Sequence, residues 1–168
     1  NWFSSNGYIT PASGGPVGNS SGGFFPTTSY TFNFTAANNT NVTQTTTITV
    51  VPAFTTGLGT CNSNATTMNI QIRPTPVVTA TVPNNTICSN TSAGITLTGN
   101  IQDTGNITTF NWSVNNNASI TGDNTSGSGS ISVGGNYVIN DTLINTSTST
   151  QNVTYTITPV SNGCSGTP

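Results

Sequence analysis

Apolar and polar residues alternate along much of this chain with a period of two. The alternation is clearest at four sets of apolar positions: Tyr30, Phe32 and Phe34; Ile70 and Ile72; Phe110, Trp112 and Val114; and Val153, Tyr155 and Ile157. A period of two is typical of β-strands that pack one face and expose the other to water. Because no apolar period of 3.6 residues is long enough for a helix, the pattern predicts an all-β fold.

In the second half of the chain, short strands and turn signals follow each other at the spacing of a β-sandwich. The predicted strands cover residues 77–82, 94–98, 107–114, 136–144 and 151–158. Segments rich in Gly, Ser and Asn, Gly14 to Gly23 and Gly122 to Gly135, favour turns, and we predict loops there. Trp112 and Tyr155 are predicted core aromatics, with the Tyr155 hydroxyl bonded to a backbone group.

A boundary between two domains is predicted at Arg73-Pro74-Thr75-Pro76, because two prolines interrupt strand pairing and favour extended backbone. We therefore predict domains at residues 1–75 and 76–168. Two half-repeats support a tandem β-repeat array: Thr47–Pro52 is followed by Cys61, and Thr154–Pro159 is followed by Cys164. The pattern leaves the fold of residues 1–45 open.

The composition excludes several classes of function. The charged residues are Arg73, Asp103, Asp123 and Asp141, and Thr, Ser and Asn supply 80 of the 168 residues. Without Lys or His to activate a nucleophile, we predict no catalytic residues and no enzyme. One Arg cannot neutralise several phosphates, so nucleic acid is not an expected partner. No apolar run reaches the roughly 20 residues of a membrane span, so membrane insertion is not expected.

No metal site or cofactor is predicted either. Asp123 lies in a Gly/Asn-rich loop whose oxygens suit calcium, but one carboxylate per loop is too few for a tight site. Three cysteines without any histidine, at these separations, do not form a zinc site.

Two cysteine motifs identify a resemblance to a known family. They are Thr86-Ile87-Cys88-Ser89 and Asn162-Gly163-Cys164-Ser165-Gly166-Thr167-Pro168, with Trp112 and the strand Thr154–Pro159 between them. This arrangement resembles the PKD-like, immunoglobulin-like repeats of giant cell-surface adhesins of the Bacteroidetes. The resemblance covers about 76–168 well, and only about 45–76 of the first half. Asn90 stands where the family often has Gly, a difference that affects one turn.

The resemblance implies tandem immunoglobulin-like (PKD-like) β-sandwich domains, with the sequence cut at both ends. It implies a Cys88–Cys164 disulfide that ties the opening segment of the second domain to the turn before its last strand. Cys61, the equivalent of Cys164, would then pair with a cysteine upstream of Asn1. A secreted chain in an oxidising, extracellular environment follows. Asp141-Thr142-Leu143 resembles the O-glycosylation signal of the same bacteria, which implies a glycan on Thr142.

The function expected from the resemblance is a non-catalytic stalk at the cell surface, which projects an adhesin during attachment or gliding and is exported by type IX secretion. Its expected partners are neighbouring repeats of the same chain, surface polysaccharide, and the secretion or motility machinery. Two alternatives stay open. One is a self-assembling extracellular filament subunit whose last strand comes from a neighbour. The other is a glycan-binding module of a secreted hydrolase, with Trp2, Phe3, Phe24 and Phe25 as an exposed sugar platform.

Overall fold

The computed structural model of the protein describes residues 2–10, 13–14, 33–115 and 117–168. The contacts between residues divide the chain into two compact units, Asn1–Arg73 and Pro74–Pro168. Every regular element in the described ranges is a β-strand, so the predicted all-β class is confirmed. Among these residues no helix is long and apolar enough to cross a membrane.

The first unit is built around one antiparallel sheet of four strands, in the order β3-β1-β5-β8, with two separate strand pairs, β2–β4 and β6–β7. Ile9, Ile48 and Ile72 form its buried core. The strands are β1 (Trp2–Ser4), β2 (Ile9–Thr10), β3 (Ser13–Gly14), β4 (Thr35–Ala36), β5 (Gln44–Val50), β6 (Ala53–Thr56), β7 (Gly59–Asn62) and β8 (Thr66–Ile72).

The longest ladder of this unit joins β5 to β8. The strands pair in register over seven residues, from Gln44 opposite Ile72 to Val50 opposite Thr66. Strand β1 pairs with the other edge of β5. Strand β5 therefore lies in the interior of the sheet, with a hydrogen-bonded neighbour on each side.

Thr46, on β5, is a buried polar residue in the core-facing row of the sheet. Its side chain is fully buried, and no hydrogen-bond partner for its hydroxyl lies among the described residues. Burying a hydroxyl without a hydrogen bond costs about 1 to 3 kcal/mol in proteins. We expect Thr46→Val, which keeps the volume and removes the hydroxyl, to raise the free energy of unfolding by about 1 kcal/mol. Thr45→Val, at the exposed neighbouring position, is the control, and denaturant unfolding of both variants measures the effect.

The second unit carries two principal antiparallel sheets, in the orders β15-β11-β9 and β14-β12-β17-β18, and a smaller group in the order β10-β16-β13. This arrangement fits the immunoglobulin-like β-sandwich that the sequence predicts. The strands are β9 (Val78–Thr81), β10 (Thr91–Ser92), β11 (Ile95–Gly99), β12 (Ile107–Val114), β13 (Ile120–Thr121), β14 (Ser126–Ser132), β15 (Asn136–Ile139), β16 (Thr142–Asn145), β17 (Tyr155–Ser161) and β18 (Cys164–Ser165).

The core of the second unit collects apolar side chains from both principal sheets. Its buried members are Ala93, Ile95, Leu97, Phe110, Ile131 and Ile139. The Phe110 ring meets the Tyr137 ring edge to face, with centroids 5.2 Å apart. Aromatic pairs prefer this geometry because the positive edge of one ring faces the negative face of the other.

Two strand predictions need correction. The segment Gly122 to Gly135 is not a loop throughout, because it contains β14, which pairs with β12 over seven residues. The glycines of β14 lie opposite large rings of the neighbouring strand β12. Gly127 lies opposite Trp112, and Gly129 lies opposite Phe110. The predicted strand 136–144 is two strands, because strand pairing stops at residues 140–141: β15 pairs with β11, whereas β16 pairs with β10 and β13. Tyr30, Phe32 and most of the predicted loop Gly14 to Gly23 lie outside the described residues.

Candidate functional site

A groove of about 750 Å³ opens in the second unit beside β17. Ala80 and Ile95 from one principal sheet line it, and so do Tyr155 and Ile157 from the other. The segments 84–89 and 147–154 complete its rim. The described residues that line the groove are uncharged, and most of those on its rim are Asn, Ser and Thr.

Among the described residues, no strand pairs with the edge of β17 that runs along this groove. Its other edge pairs with β12, whereas β18 covers only Val160 and Ser161. The backbone of Thr154 is turned towards β12, because its carbonyl accepts from Asn115. Backbone groups alternate in direction along a strand, so the N–H and C=O of Tyr155 and Ile157 are turned towards the open edge.

A buried carboxylate contacts Tyr155, one of the residues that line the groove. Asp141 is 5% exposed. Its Oδ2 accepts from the Tyr155 hydroxyl at 2.8 Å and from the Asn124 backbone N–H at 3.2 Å, while its Oδ1 accepts from the Asn124 side-chain amide. Three hydrogen bonds satisfy the buried charge, as such burial requires. Asp141 thereby joins the start of β17 to the loop after β13.

The environment of Tyr155 stabilises its neutral form. The pKa of Tyr155 is raised above its ordinary value of 10.0. Burial is the largest cause, followed by the hydrogen bond to Asp141 and the negative charge of that carboxylate. A group whose pKa is raised in the folded state adds stability that is complete below the unfolded-state pKa and is lost at higher pH. Tyr155 therefore stabilises the fold up to about pH 10, and that contribution declines in more alkaline solution.

We expect Tyr155→Phe to change both the size and the pH dependence of stability. At pH 7 it removes one hydrogen bond to a charged group, which lowers the free energy of unfolding by about 1.5 to 3 kcal/mol. Between pH 9 and pH 11.5 the variant should lose less stability than the wild type, because it has no hydroxyl to ionise. Urea unfolding across this pH range measures both effects. Parallel curves for the two proteins would contradict the assignment.

Trp112, which is partly buried, packs against the core of the second unit, as Tyr155 does. The six-membered part of its indole covers Gly127, at the place where any other residue would carry its Cβ. Its Nε1 is buried without a partner among the described residues. The Tyr155 hydroxyl donates to the Asp141 carboxylate, so the prediction of a backbone partner for it was wrong.

The cysteines are free thiols in this structure: Cys61 and Cys88 are exposed, and Cys164 is partly buried. Cys88 lines the groove with Tyr155, whereas Cys164 pairs with Ser161 at the other end of β17. Their pairing stays a prediction, which peptide mapping without reduction would test.

The other predicted site residues are exposed or lie outside the described residues. Thr142, the predicted glycosylation position, is exposed on β16 beside the buried Asp141. Of the predicted sugar platform, the Phe3 side chain is 48% exposed. Phe24, Phe25 and the side chain of Trp2 lie outside the described residues. In the described part of the chain no three His, Cys, Asp or Glu side chains form a cluster suited to a metal ion.

Sequence reasoning missed a polar loop that occurs once in each unit, which we call the asparagine loop (residues 38–44 and 145–151). In the first, Asn38 Oδ1 accepts from the Thr40 backbone N–H, and the Gln44 amide donates to the Thr40 hydroxyl. In the second, Asn145 Oδ1 accepts from the Ser147 N–H, and the Gln151 amide donates to the Ser147 hydroxyl. The spacing Asn-x-Ser/Thr-x-x-x-Gln, repeated at a separation of 107 residues, could have revealed it.

The comparisons with known proteins gave one match. A family model described as a PKD-like domain matches residues 85–168, which is half of the 168-residue chain and includes the groove's rim, Asp141 and β17. No curated protein and no solved structure matched.

Proposed function

Since the chain belongs to the PKD-like domain family, we propose that it is a stretch of structural repeats from the extracellular stalk of a cell-surface adhesin. PKD-like domains are generally non-catalytic binding or structural modules and are typical of extracellular or surface proteins. The adhesin, its role in attachment or gliding, and export by type IX secretion are the specific parts of this proposal.

The observation that carries the proposal is the repeated asparagine loop. Both loops precede a strand of the same pattern, Gln44–Val50 in the first unit and the segment from Gln151 to Ile157 in the second. Two units that share a loop, a strand and a spacing are typical of a tandem array. A role as a spacer requires such repetition and needs no catalytic group.

The surface chemistry supports a passive spacer. Four charged residues in 168 leave a surface of hydroxyl and amide groups. Such a surface attracts little non-specific charged material, because it carries almost no net field. It offers many hydrogen-bond donors and acceptors to polysaccharide, which we keep as a proposed partner together with neighbouring repeats and the secretion or motility machinery.

The proposal is tested on intact cells of the source organism. Antibodies raised against the purified chain should label unpermeabilised cells, and brief protease treatment should remove that label. Deleting whole repeats from the encoding gene should shorten the surface fibre and leave any distal binding activity in place. Label that appears only after permeabilisation, or an unchanged fibre length, would contradict a stalk role.

A filament subunit that receives a strand from a neighbour is the second candidate, and the open edge of β17 favours it. The two candidates differ in covalent continuity. A native polypeptide much longer than 168 residues, seen as intact mass after denaturation, supports the stalk. A native mass near 17.1 kDa supports the filament subunit.

A further inference from the structure

We infer that the outer edge of β14 pairs with the same edge of a second copy of this chain. The two strands would run antiparallel about a two-fold axis at Ser128, so that the two sheets join into one. Both copies keep all of their own strands. The inference does not depend on the stalk role, and it concerns an edge at the opposite side of the sheet from β17 and β18.

Strand β14 lies at the end of its sheet. Among the described residues its one strand partner is β12. The Thr125 carbonyl accepts from the Val114 N–H, so residue 125 and every second residue after it face β12. The backbone N–H and C=O groups of Ser126, Ser128 and Ser130 are therefore turned towards the outer edge.

The sequence of β14 lacks the features that protect sheet edges. Ser126–Ser132 reads Ser-Gly-Ser-Gly-Ser-Ile-Ser, without a charge or a proline, and it pairs with β12 residue for residue, without a bulge. It has seven residues, whereas the other described strands at sheet ends in the second unit have two or four. Proteins protect long edges because exposed backbone groups otherwise pair with another chain. Of these sheet ends, β14 is therefore the one best suited to such pairing.

The symmetry of this edge identifies the partner as a second copy. Residues 126–130 read Ser-Gly-Ser-Gly-Ser in both directions, with Ser128 at the centre. Antiparallel pairing about Ser128 places serine opposite serine and glycine opposite glycine. Each pair of outward-facing residues then exchanges two backbone hydrogen bonds. The serine side chains, which share one face, can also hydrogen-bond across the new ladder.

The side chains on both faces of the edge permit close approach. On the outer face the three serines are exposed and uncharged, so two copies do not repel each other. On the inner face the Trp112 ring occupies the position of a Cβ at Gly127. A Cβ at Gly129 would lie 2.6 Å from the Phe110 ring and 2.8 Å from the Tyr137 ring. Aromatic rings therefore extend to the edge strand, and those of two paired copies would shield each other from water.

The expected dimer is weak and closed. Five paired residues bury much less than the roughly 800 Å² per partner of a standard stable complex, so the pairing is transient. A two-fold contact uses the same edge on both copies, so the assembly stops at two. In this it differs from a strand-receiving filament, which would continue to grow.

The test is sedimentation of the complete 168-residue chain from about 10 μM to about 1 mM, with reductant present to exclude disulfide-linked dimers. We expect monomers at the low end and reversible dimers at the high end. In the dimer, amide hydrogen exchange at Ser126, Ser128 and Ser130 should slow at least threefold, while Gly127 and Gly129, already turned towards β12, should change less than 1.5-fold. Monomers throughout, or protection confined to other strands, would overturn the inference.

A charge at the axis tests the register. Ser128→Lys places two like charges directly opposite each other and should weaken dimerisation at least tenfold. The matched control is Asn111→Lys, at the exposed position on β12 opposite Ser128. Its two charges would lie three strand spacings apart, about 14 Å, which exceeds the Debye length at physiological salt. We expect less than a threefold effect there. Equal losses would mean that the copies pack face to face, contrary to the inference.

A charge swap completes the test. Ser128→Asp alone should weaken dimerisation as Ser128→Lys does. An equimolar mixture of the two variants should form heterodimers at least tenfold more tightly than either variant forms homodimers. Both should keep the urea midpoint of the wild type, because residue 128 is exposed. A mixture of folded variants that stays monomeric would overturn the inference.

Discussion

Replacing Gly127 by alanine is expected to lower the free energy of unfolding of the second unit by about 3 kcal/mol. A Cβ at this position would overlap the six-membered ring of Trp112 on the neighbouring strand. Trp112 stands directly opposite Gly127 in the ladder between β12 and β14, so backbone pairing prevents the two residues from separating. The indole must therefore leave its site or the two strands must part.

The measurement is guanidinium unfolding followed by tryptophan fluorescence. The chain has two tryptophans, Trp2 and Trp112, so a Trp2→Phe background makes the signal specific for the second unit. The matched control is Gly99→Ala, on β11 of the same unit, because a Cβ at Gly99 meets no atom closer than 3.4 Å. We expect the control to change stability by less than about 0.5 kcal/mol.

A double mutant identifies the mechanism. Trp112→Phe shortens the ring that covers Gly127, so adding Gly127→Ala to it should cost much less than in the wild type. Residues in direct contact show such coupling, with interaction energies of about 0.5 to 3 kcal/mol. Additive costs would mean that glycine is needed at residue 127 for a reason other than the indole.

Asp141→Ala is expected to lower the free energy of unfolding of the same unit by about 3 kcal/mol or more. It leaves the Tyr155 hydroxyl and the Asn124 backbone N–H without their acceptor. A buried polar group without its partner loses its hydration and gains nothing in return. The loop after β13 would also lose its attachment to β17.

The control for this prediction is Asp103→Ala, a carboxylate that is only partly buried and belongs to the turn before β12. We expect a loss of less than about 1 kcal/mol there. The double mutant of Asp141→Ala and Tyr155→Phe should be more stable than the two single losses predict, because neither partner then stays unpaired. Equal losses for Asp141→Ala and Asp103→Ala would refute the role assigned to the buried carboxylate.

The sequence predicts this fold wherever apolar alternation decides the structure. Phe110, Trp112 and Val114 form one strand face as expected, because period-two burial is a local property of the sequence. The alternation fails for β14, where glycine and serine carry no apolar signal. That strand exists because the rings of Trp112 and Phe110 fill the space above its glycines, and this contact joins residues 15 or more positions apart.

The candidate site was less predictable for a related reason. Tyr155 and Trp112 could be singled out as large aromatics, but the partner of Tyr155 could not, since Asp141 precedes it by 14 residues and looks like a turn residue in sequence. The unpaired edge of β17 is recognised only by comparison with β5, whose equivalent edge is covered by a strand. Which backbone groups lack a paired strand depends on the topology of the sheet, and the amino-acid composition contains no information about it.

The asparagine loops also bear on how the protein can be produced. Asn38-Asn39-Thr40 and Asn145-Thr146-Ser147 are both acceptor sequences for N-linked glycans. Asn38 Nδ2, the atom that would carry the sugar, already donates to the Val42 and Ile72 carbonyls. A glycan there would remove one of these bonds and place a bulky group against the end of β8. Expression through a eukaryotic secretory pathway should therefore yield protein whose folding depends on whether this asparagine escapes modification.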